Sequence, residues 1–125
     1  MCTSKKLSFV TNKLGRIYIN FTKNNLLFTI TNLTGDVLMW TSSGVAGFKH
    51  SRKKTSLALQ ETILCCIKKL KKLNLRFVLI FIKQVGFNID ILLNLLDFNS
   101  LTILNIFEIT TFSFNGCRLP KKRKI

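Results

Sequence analysis

A basic segment punctuated by glycine, GVAGFKHSRKK at residues 44–54, has the residue types that bind phosphate. Glycine lets a backbone approach a phosphate closely, and lysine and arginine neutralise its charge. The spacing differs from that of the phosphate loop of nucleotide hydrolases, because Lys49 does not directly follow a glycine. We predict a phosphate-contacting loop, and the alternative is a solvated loop whose glycines only satisfy turn geometry. The candidate residues are Gly44, Gly47, Phe48, Lys49, His50, Ser51, Arg52, Lys53 and Lys54.

The last twelve residues, FNGCRLPKKRKI, combine a turn signal with five cationic side chains. Asn-Gly favours a tight turn. The basic run after it fits a nuclear import signal, a solvated end or a phosphate-binding extension. The candidate residues are Asn115, Gly116, Arg118, Lys121, Lys122, Arg123 and Lys124.

The sequence offers little for catalysis or metal binding. Its five acidic residues are scattered along the chain, whereas a two-metal nuclease needs several of them to converge. His50, the single histidine, lies among cations without an evident carboxylate or nucleophile partner. The four cysteines include no C-x-x-C pair, so reduced thiols are expected. We predict no enzymatic activity, no metal and no cofactor.

The charge balance predicts a polyanionic partner. Lys and Arg number 20 against 5 acidic residues, and the net charge of +15 favours nucleic acid or an anionic membrane surface. Because 47% of the residues are apolar, a folded core with a cationic shell fits better than a disordered basic chain. Membrane insertion is not expected, since Lys83 and Asp90 interrupt the most apolar region, Arg76 to Leu96.

The hydrophobic pattern predicts a single α/β domain, a mixed β-sheet with helices packed on it in the order β β β α β α β. A hairpin is expected to join strands at 26–32 and 36–42, with Gly35 where positive φ is needed. Thr55 is expected to cap the first helix. The predicted divisions are a basic arm at 1–14, the domain at 15–112 and a basic tail at 113–125.

Two strands are expected to be covered on both faces. The apolar run at 75–83 has the nearly continuous pattern of a fully buried strand. In the second hairpin strand, apolar residues occupy both faces, and Trp40 is expected to pack in the core, with base stacking as the alternative. The adjacent Cys65 and Cys66 are expected within a helix, one facing the core and the other its rim.

Two separated motifs resemble those of the universal small-subunit ribosomal protein eleven family. TNLTGDVLMWTSSGVAGFKHSRKKT is similar to the family pattern T-D-x-x-G-x-x-L-x-W-x-S-x-G-x-x-G-F-K-x-S-R-K-x-T, and the tail is similar to N-G-C-R-x-P-K-x-R-x. The resemblance covers about residues 25–125. Positions in register are Gly35, Leu38, Trp40, Ser42, Gly44, Gly47, Phe48, Lys49, Ser51, Arg52, Lys53, Thr55, Asn115, Gly116, Cys117, Arg118, Pro120, Lys121 and Arg123.

The resemblance implies a structural constituent of the small ribosomal subunit that supports translation. Its partners would be small-subunit rRNA, in the central domain and the 3′ region, and neighbouring platform proteins, with mRNA nearby. Where the family has K-G-P-G-x-G-R, this chain has KQVGFNI, so Lys83 joins the predicted RNA-binding set, whereas Val85, Phe87 and Ile89 do not.

Composition bears on the compartment. Phe, Ile, Asn and Lys, whose codons are rich in A and T, supply 50 of the 125 residues. Together with the divergent joint, this bias predicts a mitochondrion-encoded protein of the mitochondrial ribosome, with a plastid or the bacterial cytoplasm as alternatives.

Other functions fit parts of the same sequence. PKKRK can serve as the import signal of a nuclear DNA- or RNA-binding protein. The Lys-rich segment Ile67 to Leu73 can lie on a membrane surface. A metal-dependent nuclease is the third alternative.

Overall fold

The computed structural model describes residues 14–84, 89–98 and 101–125. Its strands are β1 (Leu14–Phe21), β2 (Leu26–Thr31), β3 (Val37–Ser42), β4 (Phe77–Lys83) and β5 (Thr102–Glu108). Its helices are α1 (Ser56–Lys72) and α2 (Ile89–Phe98), and a 3-10 turn at His50–Lys54 precedes α1. The predicted order is confirmed. Apart from Leu14, the predicted arm lies outside the described residues, as does the joint at 85–88.

The five strands form one mixed sheet in the order β3-β2-β1-β4-β5. β1 lies at the centre, antiparallel to β2 and parallel to β4, and β5 extends the parallel half. The helices make the crossovers from β3 to β4 and from β4 to β5. Strands that run in the same direction need such long connections. The predicted mixed-sheet α/β fold is therefore confirmed.

The hydrophobic core lies between the sheet and the two helices. Alternate residues of the central strands face it, so Ile17 and Ile19 are each 1% exposed. Helix α1 contributes side chains at spacings of three and four, as its sequence predicts, and each fully buried aliphatic side chain contributes about 1.5–3 kcal/mol of transfer free energy. The buried residues of α1 are Ala58, Leu59, Thr62, Ile63, Cys66, Ile67 and Leu70.

The hairpin between β2 and β3 closes at Gly35. Its φ of 103° lies in the left-handed region, and its N–H donates to the Asn32 carbonyl at 3.2 Å. The Asn32 N–H also donates to the Asp36 carbonyl at 2.9 Å, so Gly35 and Asp36 together oppose Asn32, as in a bulge. Both the turn at a positive-φ glycine and the bulge are confirmed.

The two expectations of double burial are wrong. In β4, Val78, Ile80 and Ile82 are buried against the helices, whereas the alternate residues are only partly covered. β3 is an edge strand, and Trp40 is 59% exposed instead of packing in the core. The physical reason is that both described helices pack against the same face of the sheet, so neither of them covers the opposite face.

Candidate nucleic-acid interface

The first half of the glycine loop is fixed to the sheet. The hydroxyl of the buried Ser43 donates to Asn25 Oδ1 at 2.8 Å and accepts from the Leu26 N–H at 3.1 Å. The Phe48 N–H donates to the Ser43 carbonyl at 3.1 Å, and the Gly47 N–H donates to the Gly44 carbonyl at 3.2 Å. These two amides are used inside the loop, so at Gly47 and Phe48 the backbone N–H groups do not point to a phosphate.

The two loop glycines have different structural roles. Gly47 has a φ of 98°, a conformation that L side chains rarely adopt, although a Cβ there would meet nothing within 4 Å. Gly44 lies beside Lys53, whose Nζ would be 3.6 Å from a Cβ at this position, an ordinary contact. Backbone conformation therefore requires glycine at position 47 but not at position 44.

The second half of the loop is the cationic 3-10 turn, which runs directly into α1. Thr55 connects the two, since its hydroxyl donates to the Arg52 carbonyl at 2.8 Å and accepts from the Ala58 N–H at 3.3 Å. This confirms the predicted helix cap. The first turn of α1 contains no acidic residue, so the positive end of its dipole is not offset locally. The helix start and the basic turn therefore contribute positive potential in the same place.

A hollow of about 800 Å³ opens on this turn. Thr55 and Leu57 also line it, and sequence reasoning did not include them in the binding set. Leu57 is 59% exposed, and its place in the hollow depends on how the basic turn lies against the start of α1, which only the structure shows. The predicted residues that line the hollow are Gly47, Phe48, Lys49, His50, Ser51 and Arg52.

Lys83 lies apart from the loop but at the same end of the sheet. It is exposed at the end of β4 and pairs in register with Asn20 of β1. Asn20 pairs with Leu27, which in turn pairs with Ser42 at the start of the loop. Three strand spacings therefore separate Lys83 from the loop, or about 14 Å.

The carboxyl-terminal tail leaves the sheet at this end as well. The Ile109 N–H donates to the Ile82 carbonyl at 2.8 Å, and the Gln84 N–H donates to Thr110 Oγ1 at 3.1 Å. Asn115 and Gly116 have φ values of 63° and 55°, as expected for an Asn-Gly turn. All residues from 109 to 125 are exposed. β5 is four strand spacings, about 19 Å, from β3, so the loop and the tail leave the sheet at two separate points.

Comparison with known proteins identifies the family. Residues 15–124 match the model of ribosomal protein S11. The chain belongs to the ribosomal protein S11 family. The resemblance seen in the sequence is therefore confirmed.

Bacterial S11 proteins are similar to this chain over nearly their whole length. Each of the following is named small ribosomal subunit protein uS11. The Flavobacterium johnsoniae protein is 30% identical over 123 residues, which cover 98% of this chain and 97% of the relative. The Carsonella ruddii protein is 36% identical over 113 residues, or 90% and 96% of the two chains. The Treponema pallidum protein is 36% identical over 111 residues, or 89% and 88%.

The acidic, histidine and cysteine side chains of this S11-family chain do not form a metal site within the described residues. No group of three or more His, Cys, Asp or Glu side chains within the described ranges can hold a metal ion. Cys66 is buried and Cys65 half-buried, as expected for adjacent helix positions, while Cys117 is exposed. Burial, and then the neighbouring Cys65, raises the pKa of the Cys66 thiol to about 12. Neither described helix is long and apolar enough to cross a membrane.

Proposed function

We propose that the chain is a structural constituent of the small ribosomal subunit that binds small-subunit rRNA and thereby supports translation. Membership of the S11 family supports the subunit assignment. The observation that carries rRNA binding is the cationic 3-10 turn at the start of α1, held in place by the Thr55 bonds. Lys83 and the tail add cations at the same end of the sheet.

The proposed binding is chiefly electrostatic. Each Lys or Arg that neutralises a phosphate releases counterions, so affinity falls as salt rises. The planar guanidinium groups of Arg52 and Arg118 can bind phosphate oxygens in pairs, which lysine cannot do. Helical RNA is recognised largely by shape and backbone, which suits a surface of separated cationic groups. The residues proposed to contact rRNA are Gly44, Gly47, Phe48, Lys49, His50, Ser51, Arg52, Lys53, Lys54, Lys83, Asn115, Gly116, Arg118, Lys121, Lys122, Arg123 and Lys124.

Within the subunit, we place the chain on the platform, against the central domain and the 3′ region of the rRNA, close to the mRNA exit and to neighbouring platform proteins. The two motifs at residues 31–55 and 115–124 support this placement through their similarity to the family pattern. Crosslinking of the assembled chain followed by rRNA sequencing tests it. Crosslinks confined to other rRNA domains would contradict the placement.

A sucrose-gradient profile tests the main proposal. The tagged chain should migrate with small-subunit rRNA and leave that peak after RNase treatment. A matched pair of variants tests the loop. Arg52→Gln with Lys53→Gln removes two charges, whereas Arg52→Lys with Lys53→Arg keeps them. The first variant should lower the salt slope of rRNA binding by roughly 1–2 units, and the second should retain it. Absence of the parent chain from the small-subunit peak would overturn the proposal.

The compartment is a separate proposal. The codon bias of the composition supports a mitochondrial ribosome, whereas the bacterial relatives agree with the bacterial cytoplasm. Fractionation of the source cells tests the mitochondrial location. We expect to recover the chain in ribosomes from the organelle fraction. Recovery only in cytoplasmic ribosomes would instead assign the chain to the bacterial cytoplasm.

A further inference from the structure

The sheet face opposite the helices carries a row of aromatic side chains. Strand register places Trp40, Thr29, Tyr18, Phe81 and Phe107 directly opposite one another, one residue on each strand. The neighbours of Tyr18 and Phe81 along their strands, Ile17, Ile19, Ile80 and Ile82, are buried against the helices. Because successive side chains alternate between faces, the row lies on the face that α1 and α2 do not cover.

Three rings of this row stack on one another. The centroids of Tyr18 and Phe81 are 4.9 Å apart with an interplanar angle of 17°, and those of Phe81 and Phe107 are 5.0 Å apart at 18°. The stack is interrupted at Thr29, whose small side chain separates Tyr18 from Trp40. The side of Tyr18 away from Phe81 and the 59% exposed Trp40 therefore border a gap in the row.

Strand spacing gives the gap room for one aromatic ring. Trp40 and Tyr18 lie two strand spacings apart, which is about 10 Å. A planar ring placed midway would be about 5 Å from each, within the 4.5–7 Å range in which aromatic pairs interact. We call Trp40, Thr29 and Tyr18 the aromatic slot.

The groups beside the slot favour an anionic occupant. Arg16 and Thr31 pair across β1 and β2, each two residues from a slot residue and hence on the same face. Arg16 Nε and Thr31 Oγ1 are buried without a hydrogen-bond partner in the described structure, and Thr31 is 4% exposed. The exposed part of the Arg16 guanidinium can bind a phosphate beside the slot, and an uncharged protein segment offers no such group.

The positions of the carboxylates also favour an anionic occupant of the slot. Glu61, Asp90 and Asp97 belong to the helices, and Asp36 belongs to the β2–β3 turn. Glu108 pairs with Ile82, whose side chain faces the helices. None of the five acidic residues therefore occupies a strand position on the slot face, which complements a negatively charged partner that also carries a planar ring.

We infer that the aromatic slot takes an unpaired RNA base, stacked between Trp40 and Tyr18, with the adjoining phosphate at Arg16. This surface is distinct from the loop and the tail, and its identification as an rRNA contact rests on the proposed function. Every base has a π-face, so the slot accepts unpaired nucleotides without strong sequence preference.

The single tryptophan of the chain provides a direct readout. The full chain is titrated with polyuridylate, which has bases and phosphates, and with inorganic polyphosphate, which has phosphates only. We expect polyuridylate to quench the emission of Trp40 and polyphosphate to bind without quenching it. Equal effects of the two polymers on Trp40 emission would overturn the slot.

Thr29→Phe fills the slot with a ring that continues the existing stack, and Thr29→Val is the matched control that leaves the slot open. The Phe variant should abolish the quenching and weaken polyuridylate binding by about 5-fold to 150-fold, the range for stacking a base on an aromatic side chain. Its polyphosphate affinity should be unchanged, and an unfolding free energy close to that of Thr29→Val shows that the variant is folded. Undiminished quenching and affinity in Thr29→Phe would refute the inference.

The two proposals fail in different ways. If the chain migrates with the small subunit but polyuridylate leaves Trp40 emission unchanged, the slot is wrong and the proposed function stands. If that emission changes only after neighbouring subunit proteins are added, the face docks a protein, and the inference is again overturned. If the chain binds neither polymer and is absent from the small-subunit peak, both proposals fail.

Discussion

Cys66 shows how the core controls the chemistry of a single side chain. Burial raises the pKa of its thiol from 9.0 to about 12, with a further contribution from Cys65 and partial opposition from Lys69. The unfolded chain therefore loses this proton at lower pH than the folded chain does. The contribution of the Cys66 thiol to the unfolding free energy is fully present below about pH 9 and declines as pH rises toward 12.

Cys66→Ala separates this effect from the titration of other groups. Between pH 8 and pH 10.5, the unfolding free energy measured with urea should fall less for the variant than for the parent chain. Alkylation at pH 8 should modify the exposed Cys117 and spare Cys66 until the chain unfolds. Equal pH dependence in the two chains would contradict the assignment.

Gly47 and Gly44 form a matched pair for testing backbone strain in the loop. Gly47→Ala places a side chain at a φ of 98°, and we expect it to lower the unfolding free energy by about 1–2 kcal/mol. Gly44→Ala meets only ordinary contacts and should change it by less than about 1 kcal/mol. Urea unfolding of both variants provides the measurement. A larger loss in Gly44→Ala would show that space limits the loop, not backbone conformation.

At the scale of elements, Thr55 joins the cationic turn to α1. Thr55→Ala removes the hydroxyl that donates to the Arg52 carbonyl and accepts from the Ala58 N–H, and should cost about 1 kcal/mol of unfolding free energy. Thr55→Ser keeps both hydrogen bonds and should stay close to the parent. Because the turn is held by the same hydroxyl, rRNA affinity should fall in Thr55→Ala but not in Thr55→Ser. Equal affinities would show that the turn keeps its position without the cap.

Element order was predictable because each element has a strong local signal. Leu59, Ile63 and Leu70 follow helical spacing, and Gly35 marks the hairpin, so the order, the cap and the bulge are confirmed. Burial was not predictable in the same way, because it depends on where the crossovers place the helices. Leucine, phenylalanine and tryptophan on the uncovered face look like core residues in sequence, and Trp40 was therefore assigned wrongly.

The candidate interface was predictable to a similar degree. Residue types and motif spacing marked the loop and the tail, and the structure puts both at one end of the sheet with Lys83. Their separation across β3 and β5 depends on strand order, which no local pattern encodes. The row of four aromatic residues and Thr29 has the same origin, since its five members come from five different strands.

At the scale of the whole molecule, charge is concentrated where folding does not need it. The exposed tail carries five of the 20 Lys and Arg residues. Like charges in this region repel one another in the free chain, whereas a polyanion neutralises them. Tail charges should therefore determine RNA affinity with little effect on the stability of the domain.

Replacing Lys121, Lys122, Arg123 and Lys124 by glutamine tests this division of roles. The salt slope of rRNA binding should fall by about 0.7–0.9 for each phosphate that the tail no longer neutralises, while the unfolding free energy should change by less than about 0.5 kcal/mol. The matched control exchanges the three lysines for arginine and should retain the parent slope. Because every exchanged side chain is exposed, a stability loss as large as that of Gly47→Ala would show that the tail packs on the domain. An unchanged slope in the glutamine variant would remove the tail from the proposed interface and leave binding to the loop and Lys83.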